Sequence, residues 1–195
     1  MLVSPRIYAT IAVGARSQSI TLTDPTNMKL GDPDRETQAS ASSGLGVVFT
    51  STTPEVCTIA STGYLTAVSV GTCSIAADQP GDAIFAPAPT ESRSFEIEAN
   101  TPTAPFITSV SAGDSSIYVA FTAPGFDGGV AIIAYVVTAT PVAGGAPVSN
   151  DGCKTSPCEI TGLTNGTAYT VTVSARNSAG TGTAGWLSVE RFKRM

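Results

Sequence analysis

Four cysteines, a run of clustered carboxylates, two glycine-bearing turns and no histidine are what this 195-residue chain offers to chemistry. The cysteines fall in two pairs along the sequence, Cys57 with Cys73 and Cys153 with Cys158. A structural zinc site needs four sulfur or imidazole ligands at close spacing, so distant pairs without histidine point to bridging instead. Four cysteines allow three connectivities, and a domain boundary near residue 100 favours one bridge in each half. The alternative, reduced and partly buried thiols of a cytosolic protein, stays open because disulfides follow redox compartment.

Without histidine there is no imidazole base, and no Ser-Lys or Cys-His arrangement activates a nucleophile, so no catalytic residue, no cofactor and no enzyme are expected. Alternating acids in Gly31-Asp32-Pro33-Asp34-Arg35-Glu36 suggest calcium at first sight. An EF-hand loop wants glycine at its sixth place and glutamate at its twelfth, where Thr37 and Ser43 stand, so no metal site is expected. Gly125-Phe126-Asp127-Gly128-Gly129 lacks the Lys-Ser/Thr of a phosphate loop and reads as an inter-strand connection. Asn165-Gly166-Thr167 fits the glycosylation sequon, with its asparagine expected to be engaged in a turn.

The elements that position these residues are strands. Charged residues are 13% of the chain, glycine (19) and proline (13) are abundant, and no stretch sustains a helical period. That composition favours short strands and many turns, hence an all-β protein. Thr161 to Asn177 shows it best. After the Asn165-Gly166 turn, Tyr169, Val171, Val173 and Ala175 alternate with Thr170, Thr172 and Ser174, one apolar face and one hydroxylic. Tyr169, directly after a turn and opening a core strand, has the placement of a tyrosine corner.

This run resembles a fibronectin type III domain of the kind found in bacterial secreted and surface proteins. Phe121 in Val119-Ala120-Phe121-Thr122 stands where that family commonly has tryptophan, a departure that keeps an aromatic. The Arg-Gly-Asp loop some relatives use for receptors is replaced by Asn177-Ser178-Ala179-Gly180-Thr181-Gly182, so that activity is not implied. Gln18 to Glu98 resembles the Ig-like repeats of bacterial surface proteins, through Ala39-Ser40-Ala41-Ser42-Ser43-Gly44-Leu45, Pro54-Glu55-Val56-Cys57-Thr58-Ile59, Gly71-Thr72-Cys73-Ser74-Ile75 and Arg93-Ser94-Phe95-Glu96-Ile97. In such repeats the two cysteines lie on strands that come together, which implies a Cys57 to Cys73 staple.

The expected fold is therefore two tandem Ig-like/fibronectin type III β-sandwiches with an extended N-terminal arm. Residues 1–17 are the arm, 18–99 the Ig-like sandwich, 100–105 a proline-rich linker, 106–190 the fibronectin type III domain and 191–195 a basic tail. Strands are expected at Ser19 to Leu22, Val47 to Ser51, Val56 to Ala60, Tyr64 to Ala67, Gly71 to Ala77 and Arg93 to Glu98. In the second half they are expected at Phe106 to Val110, Ile117 to Phe121, Ile132 to Thr140, Cys158 to Leu163, Thr167 to Asn177 and Trp186 to Val189.

Net charge is -5. The acids concentrate in residues 18–99, while the arm carries Arg6 and Arg16 and the tail Arg191, Lys193 and Arg194. An acidic body with basic ends does not present the basic face that nucleic acid requires, and no segment approaches the roughly 20 apolar residues of a membrane span. In the arm, Ile7, Ile11 and Val13 alternate with Tyr8 and Thr10, which favours a strand that meets a neighbour. Pro5 and Arg6 interrupt the apolar run that an export signal would need.

The expected function is non-enzymatic: a structural or interaction protein displayed outside the cell. One setting is a bacteriophage virion, as a capsid decoration or tail-associated component, suggested by exterior-type modules on a chain with neither a clear export signal nor an anchor. The other is a spacer or adhesive module pair of a bacterial surface adhesin or secreted enzyme. Expected partners are capsid or tail proteins, further copies of the chain, or a cell-surface glycan.

Overall fold

A computed structural model describes residues 14–189, and all regular structure among them is β. The arm residues Ile7, Tyr8, Ile11 and Val13 and the tail residues Arg191, Lys193 and Arg194 lie outside the described residues. Among the described residues no helix is long and apolar enough to cross a membrane.

The chain divides into two compact units. Of the described residues, the first gathers those up to Thr26, Asp34–Thr66 and Cys73–Phe95; the second gathers Asn27–Pro33, Ala67–Thr72 and everything from Glu96 on. The first half of the sequence forms β1 (Ile20–Leu22), β2 (Met28–Lys29), β3 (Arg35–Glu36), β4 (Ala39–Ala41), β5 (Val48–Ser51), β6 (Cys57–Ile59), β7 (Tyr64–Ala67), β8 (Gly71–Asp78) and β9 (Glu91–Glu98). Three sheets result, ordered β1-β4, β3-β7-β6 and β2-β9-β8-β5. The short strands β2, β3 and β4 were not among those expected. At two or three residues each they are too short to carry a period, and only pairing across the chain, Met28 with Ile97, Arg35 with Leu65 and Ile20 with Ala41, extends them.

In the first unit Ile20, Leu22, Phe49 and Ala77 form a buried cluster, with Ala39, Val47, Ile59 and Ala88 against it. A pair of buried glutamines ties the loops over this core. Gln18 Nε2 donates to Gln79 Oε1 and to the Ala86 carbonyl, both at 2.7 Å, while Gln18 Oε1 accepts from the Ser43 hydroxyl and Gln79 Oε1 from the Gly81 N–H. Buried amides cost stability unless bonded, and these are bonded.

The second half forms β10 (Phe106–Ala112), β11 (Ser116–Thr122), β12 (Ala134–Pro141), β13 (Val148–Cys153), β14 (Cys158–Thr161), β15 (Tyr169–Asn177) and β16 (Gly180–Val189). They make two antiparallel sheets, β10-β11-β14 and β13-β12-β15-β16. Between the sheets lie Ile107, Ile117, Val119, Phe121, Val137, Ala139, Ile160, Val171 and Val173, each contributed by the inward face of an alternating strand. The Phe121 ring sits 4.7 Å from that of Tyr135, so the aromatic at this position is in the core.

Two strands differ from expectation. β13 was missed, because Val148-Ser149-Asn150-Asp151-Gly152 is nearly all polar and earns its place by pairing with β12. β16 begins at Gly180 and not at Trp186, so the connection after β15 is a tight turn instead of a long loop. Its glycines read as a loop in sequence, but the backbone of residues 102–105 runs alongside. A Cβ at Gly182 or Gly185 would overlap the carbonyl oxygen of Pro102 or Pro105. Pro102 and Pro105 are fully buried, so the proline segment is held within the second unit.

Candidate functional site

Each pair of cysteines is bridged within its own unit. Cys57 on β6 and Cys73 on β8 have Cα atoms 5.6 Å apart, and Cys153 at the end of β13 and Cys158 at the start of β14 have theirs 5.9 Å apart. All four are buried and no free cysteine exists among the described residues. Cys57–Cys73 joins two sheets of the first half, and Cys153–Cys158 joins the two sheets of the second sandwich across the short connection between β13 and β14.

Tyr169 opens β15 with its ring in the core, and its hydroxyl oxygen accepts the Thr164 N–H at 3.0 Å. The adjoining turn is closed by Asn165, whose Oδ1 accepts the Ser115 N–H at 2.9 Å and whose Nδ2 donates to Asp114 at 2.7 Å. That asparagine is occupied in structure. At the other end of β15, Asn177 is 2% exposed and uses its whole side chain. Nδ2 donates to the Asn100 and Asp127 carbonyls, both at 2.7 Å, and Oδ1 accepts from the N–H groups of Ala179 (2.9 Å) and Gly180 (3.1 Å). The loop containing Gly125 to Gly129 is thereby strapped to residues 100–103, with Asn100 N–H donating to Gly128 O and Thr103 N–H to Phe126 O. In sequence Asn177 carries no such signal, since a polar residue ending a strand looks like any turn residue.

Of the acids in the 31–36 run, Asp32 is engaged locally. Asp32 accepts the Lys29 N–H at 2.8 Å, and no group of three metal-ligating side chains occurs among the described residues. A groove of about 260 Å³ in the first unit is lined by Thr23, Asp24, Thr26, Arg35, Glu36 and Gln38. Its charged groups are already satisfied in part: Asp24 pairs with Arg93, and Arg35 donates to the Thr26 hydroxyl and carbonyl. Hydrogen bonds from Arg93 to Asp24 and then Glu91 hold the Arg93 guanidinium above its ordinary pKa.

The surface best equipped for binding is the outer face of the four-stranded sheet. Thr170, Thr172, Ser174 and Arg176 point outward from β15 while its other residues are buried. Thr172 faces Thr138 on β12 and Trp186 on β16, and Thr138 is bonded to Ser149 on β13 at 2.8 Å. Trp186 is 71% exposed. The result is a hydroxyl-rich face bearing one exposed indole and one guanidinium.

The fibronectin type III domain family matches residues 101–189, so that part of the chain is a fibronectin type III domain. No curated protein matches the chain. Among solved structures, titin kinase with its flanking domains is 24% identical over 44% of this chain and 16% of its own, with a TM-score of 0.40. A stretch of domains from titin is 15% identical over 88% of this chain and 65% of its own, with a TM-score of 0.43. An FN domain of Drosophila Lar is 24% identical over 47% of this chain and 97% of its own, with a TM-score of 0.40. The chain spans less than two thirds of the length of both titin structures.

Proposed function

We propose that this chain, with a fibronectin type III domain as its second half, is a non-enzymatic structural and interaction element that works outside the cell. The observation that carries the reading is the pair of buried disulfides, one in each unit, since such bridges persist in oxidising surroundings. They stiffen small sandwiches whose surfaces are hydroxylic and turn-rich, which suits an element that holds or presents rather than transforms. We place it in a bacteriophage virion, as a capsid decoration or tail-associated component made inside the host and oxidised after release. Support comes from charge: basic residues at both ends of an acidic chain have complementary partners on another copy or on an acidic platform.

A spacer or adhesive role in a bacterial surface adhesin or secreted enzyme is the second reading, favoured by the exposed Trp186 face. The test is the native mass of the untagged chain by light scattering, with and without residues 1–16. A defined oligomer that truncation converts to monomer supports the virion reading; monomers in both cases favour the spacer. Thiol titration of protein isolated from its natural source decides the compartment, and four reactive thiols there would sink the extracellular reading.

A further inference from the structure

Arg176 is the one charged residue in β12, β15 and β16. Its Nε is buried without a hydrogen-bond partner among the described residues, and the ion pairs found among them both belong to Arg93. Its cross-strand neighbour Ala134 is buried although it lies on the outer face, as happens where a long arginine stem covers a small side chain. The guanidinium therefore has no anion partner among the described residues. A planar fork of donors in this condition is suited to a carboxylate, which it takes through two parallel hydrogen bonds.

The rest of the strip favours a sugar as carrier of that carboxylate. Trp186 lies opposite Thr172, four positions along β15 from Arg176, a separation of roughly 13 Å at about 3.3 Å per residue. Between them Ser174 is flanked by Ala184 on β16 and by the partly exposed Val136 on β12, so the floor there is uncharged and made of small or medium side chains. The indole offers an apolar plane for the C–H face of a pyranose ring, and the Thr172, Ser174 and Thr138 hydroxyls both donate and accept hydrogen bonds. A neutral polymer would leave Arg176 unpaired, and a polyphosphate would have no flat apolar face for Trp186.

We propose that the outer face of β12, β15 and β16 binds a carboxylated polysaccharide laid along β15, with a uronate on Arg176 and a ring stacked on Trp186. The inference rests on the reading of the chain as an interaction element. Asp151 on β13, two strands from β15, is the acid of this sheet.

The experiment uses the full chain, whose only tryptophan is Trp186. Titration with polygalacturonate should shift the Trp186 emission saturably to shorter wavelength, while dextran should not. By affinity electrophoresis Arg176→Gln and Trp186→Ala should each weaken binding at least tenfold, Trp186→Phe should retain most of it, and Lys154→Gln should change nothing. Near-ultraviolet circular dichroism checks that the variants fold. An unchanged emission, undiminished binding by folded Arg176→Gln, or polyglutamate binding as tightly as polygalacturonate would each overturn the proposal, the last by assigning the face to acidic peptides. Reducing ends released from the same samples would refute the non-enzymatic reading and leave the site standing.

Discussion

Replacing Asn177 by alanine should unfold the second unit far more easily than any other single change in the turn after β15. The side chain is 2% exposed and makes four hydrogen bonds, two donated to the Asn100 and Asp127 carbonyls and two accepted from Ala179 and Gly180. A typical bond contributes about 1 kcal/mol net, and an orphaned buried group costs about 1–3 kcal/mol. Asp127 and Ala179 are exposed, so water recovers part of what the substitution removes. A loss of about 2–3 kcal/mol follows. Because a domain of about 100 residues shifts by roughly 4–8 °C per kcal/mol, Tm should fall by about 10–20 °C. Trp186 lies in the second unit and is the only tryptophan, so its fluorescence during urea or thermal unfolding reports on this unit alone. Ser178→Ala, at an exposed position of the same turn, is the control and should move the midpoint little. If Asn177→Ala costs under about 0.5 kcal/mol, beneath the net value of one such bond, the idea that this amide holds the loops together is wrong.

Three further outcomes are expected. Removing the Cys57–Cys73 bridge by a double alanine substitution should cost about 3 kcal/mol from its sequence separation of 16, against about 2 kcal/mol for Cys153–Cys158 with a separation of 5, both measured by equilibrium denaturation. Gly185→Ala should destabilise the second unit by about 1–3 kcal/mol, because the methyl group meets the Pro105 carbonyl; a neutral result would show that residues 102–105 do not bear on β16. Tyr118 should titrate above the ordinary phenol value of about 10, since its neutral hydroxyl is hydrogen-bonded to the Glu159 carboxylate across β11 and β14. That interaction contributes stability in full below the ordinary value and loses it as pH rises through the folded pKa. An NMR titration in which Glu159→Gln leaves the Tyr118 value unmoved would disprove the assignment of cause.

Local pattern carried the all-β class and much of the strand layout. In β15 the alternation of apolar and hydroxylic residues states both the strand and its buried face, because successive side chains of a strand point to opposite sides whatever surrounds it. Tyr169 was legible for the same reason, lying between a turn pair and a periodic run, and so was the likelihood that four cysteines without histidine would bridge. Strands of two or three polar residues, and the glycine-rich start of β16, were not. Their hydrogen-bonding partners are distant in sequence, and a glycine that admits a neighbouring backbone looks the same in sequence as one that makes a turn.

What the sequence by itself determined is the alphabet of the fold: short strands, their inward faces, the cysteine pairs and the absence of imidazole chemistry. Only the tertiary structure decided which polar side chains became structural and which were left to bind. Gln18 and Gln79 are satisfied by each other and by distant loops, and Asn177 by backbone up to 77 positions away. Arg176 meets no carboxylate among the described residues, while Arg93 meets two. The physical reason is that a hydrogen bond or ion pair depends on distances of about 3 Å between groups, and burial makes that proximity matter, whereas periodicity records only which way each side chain points.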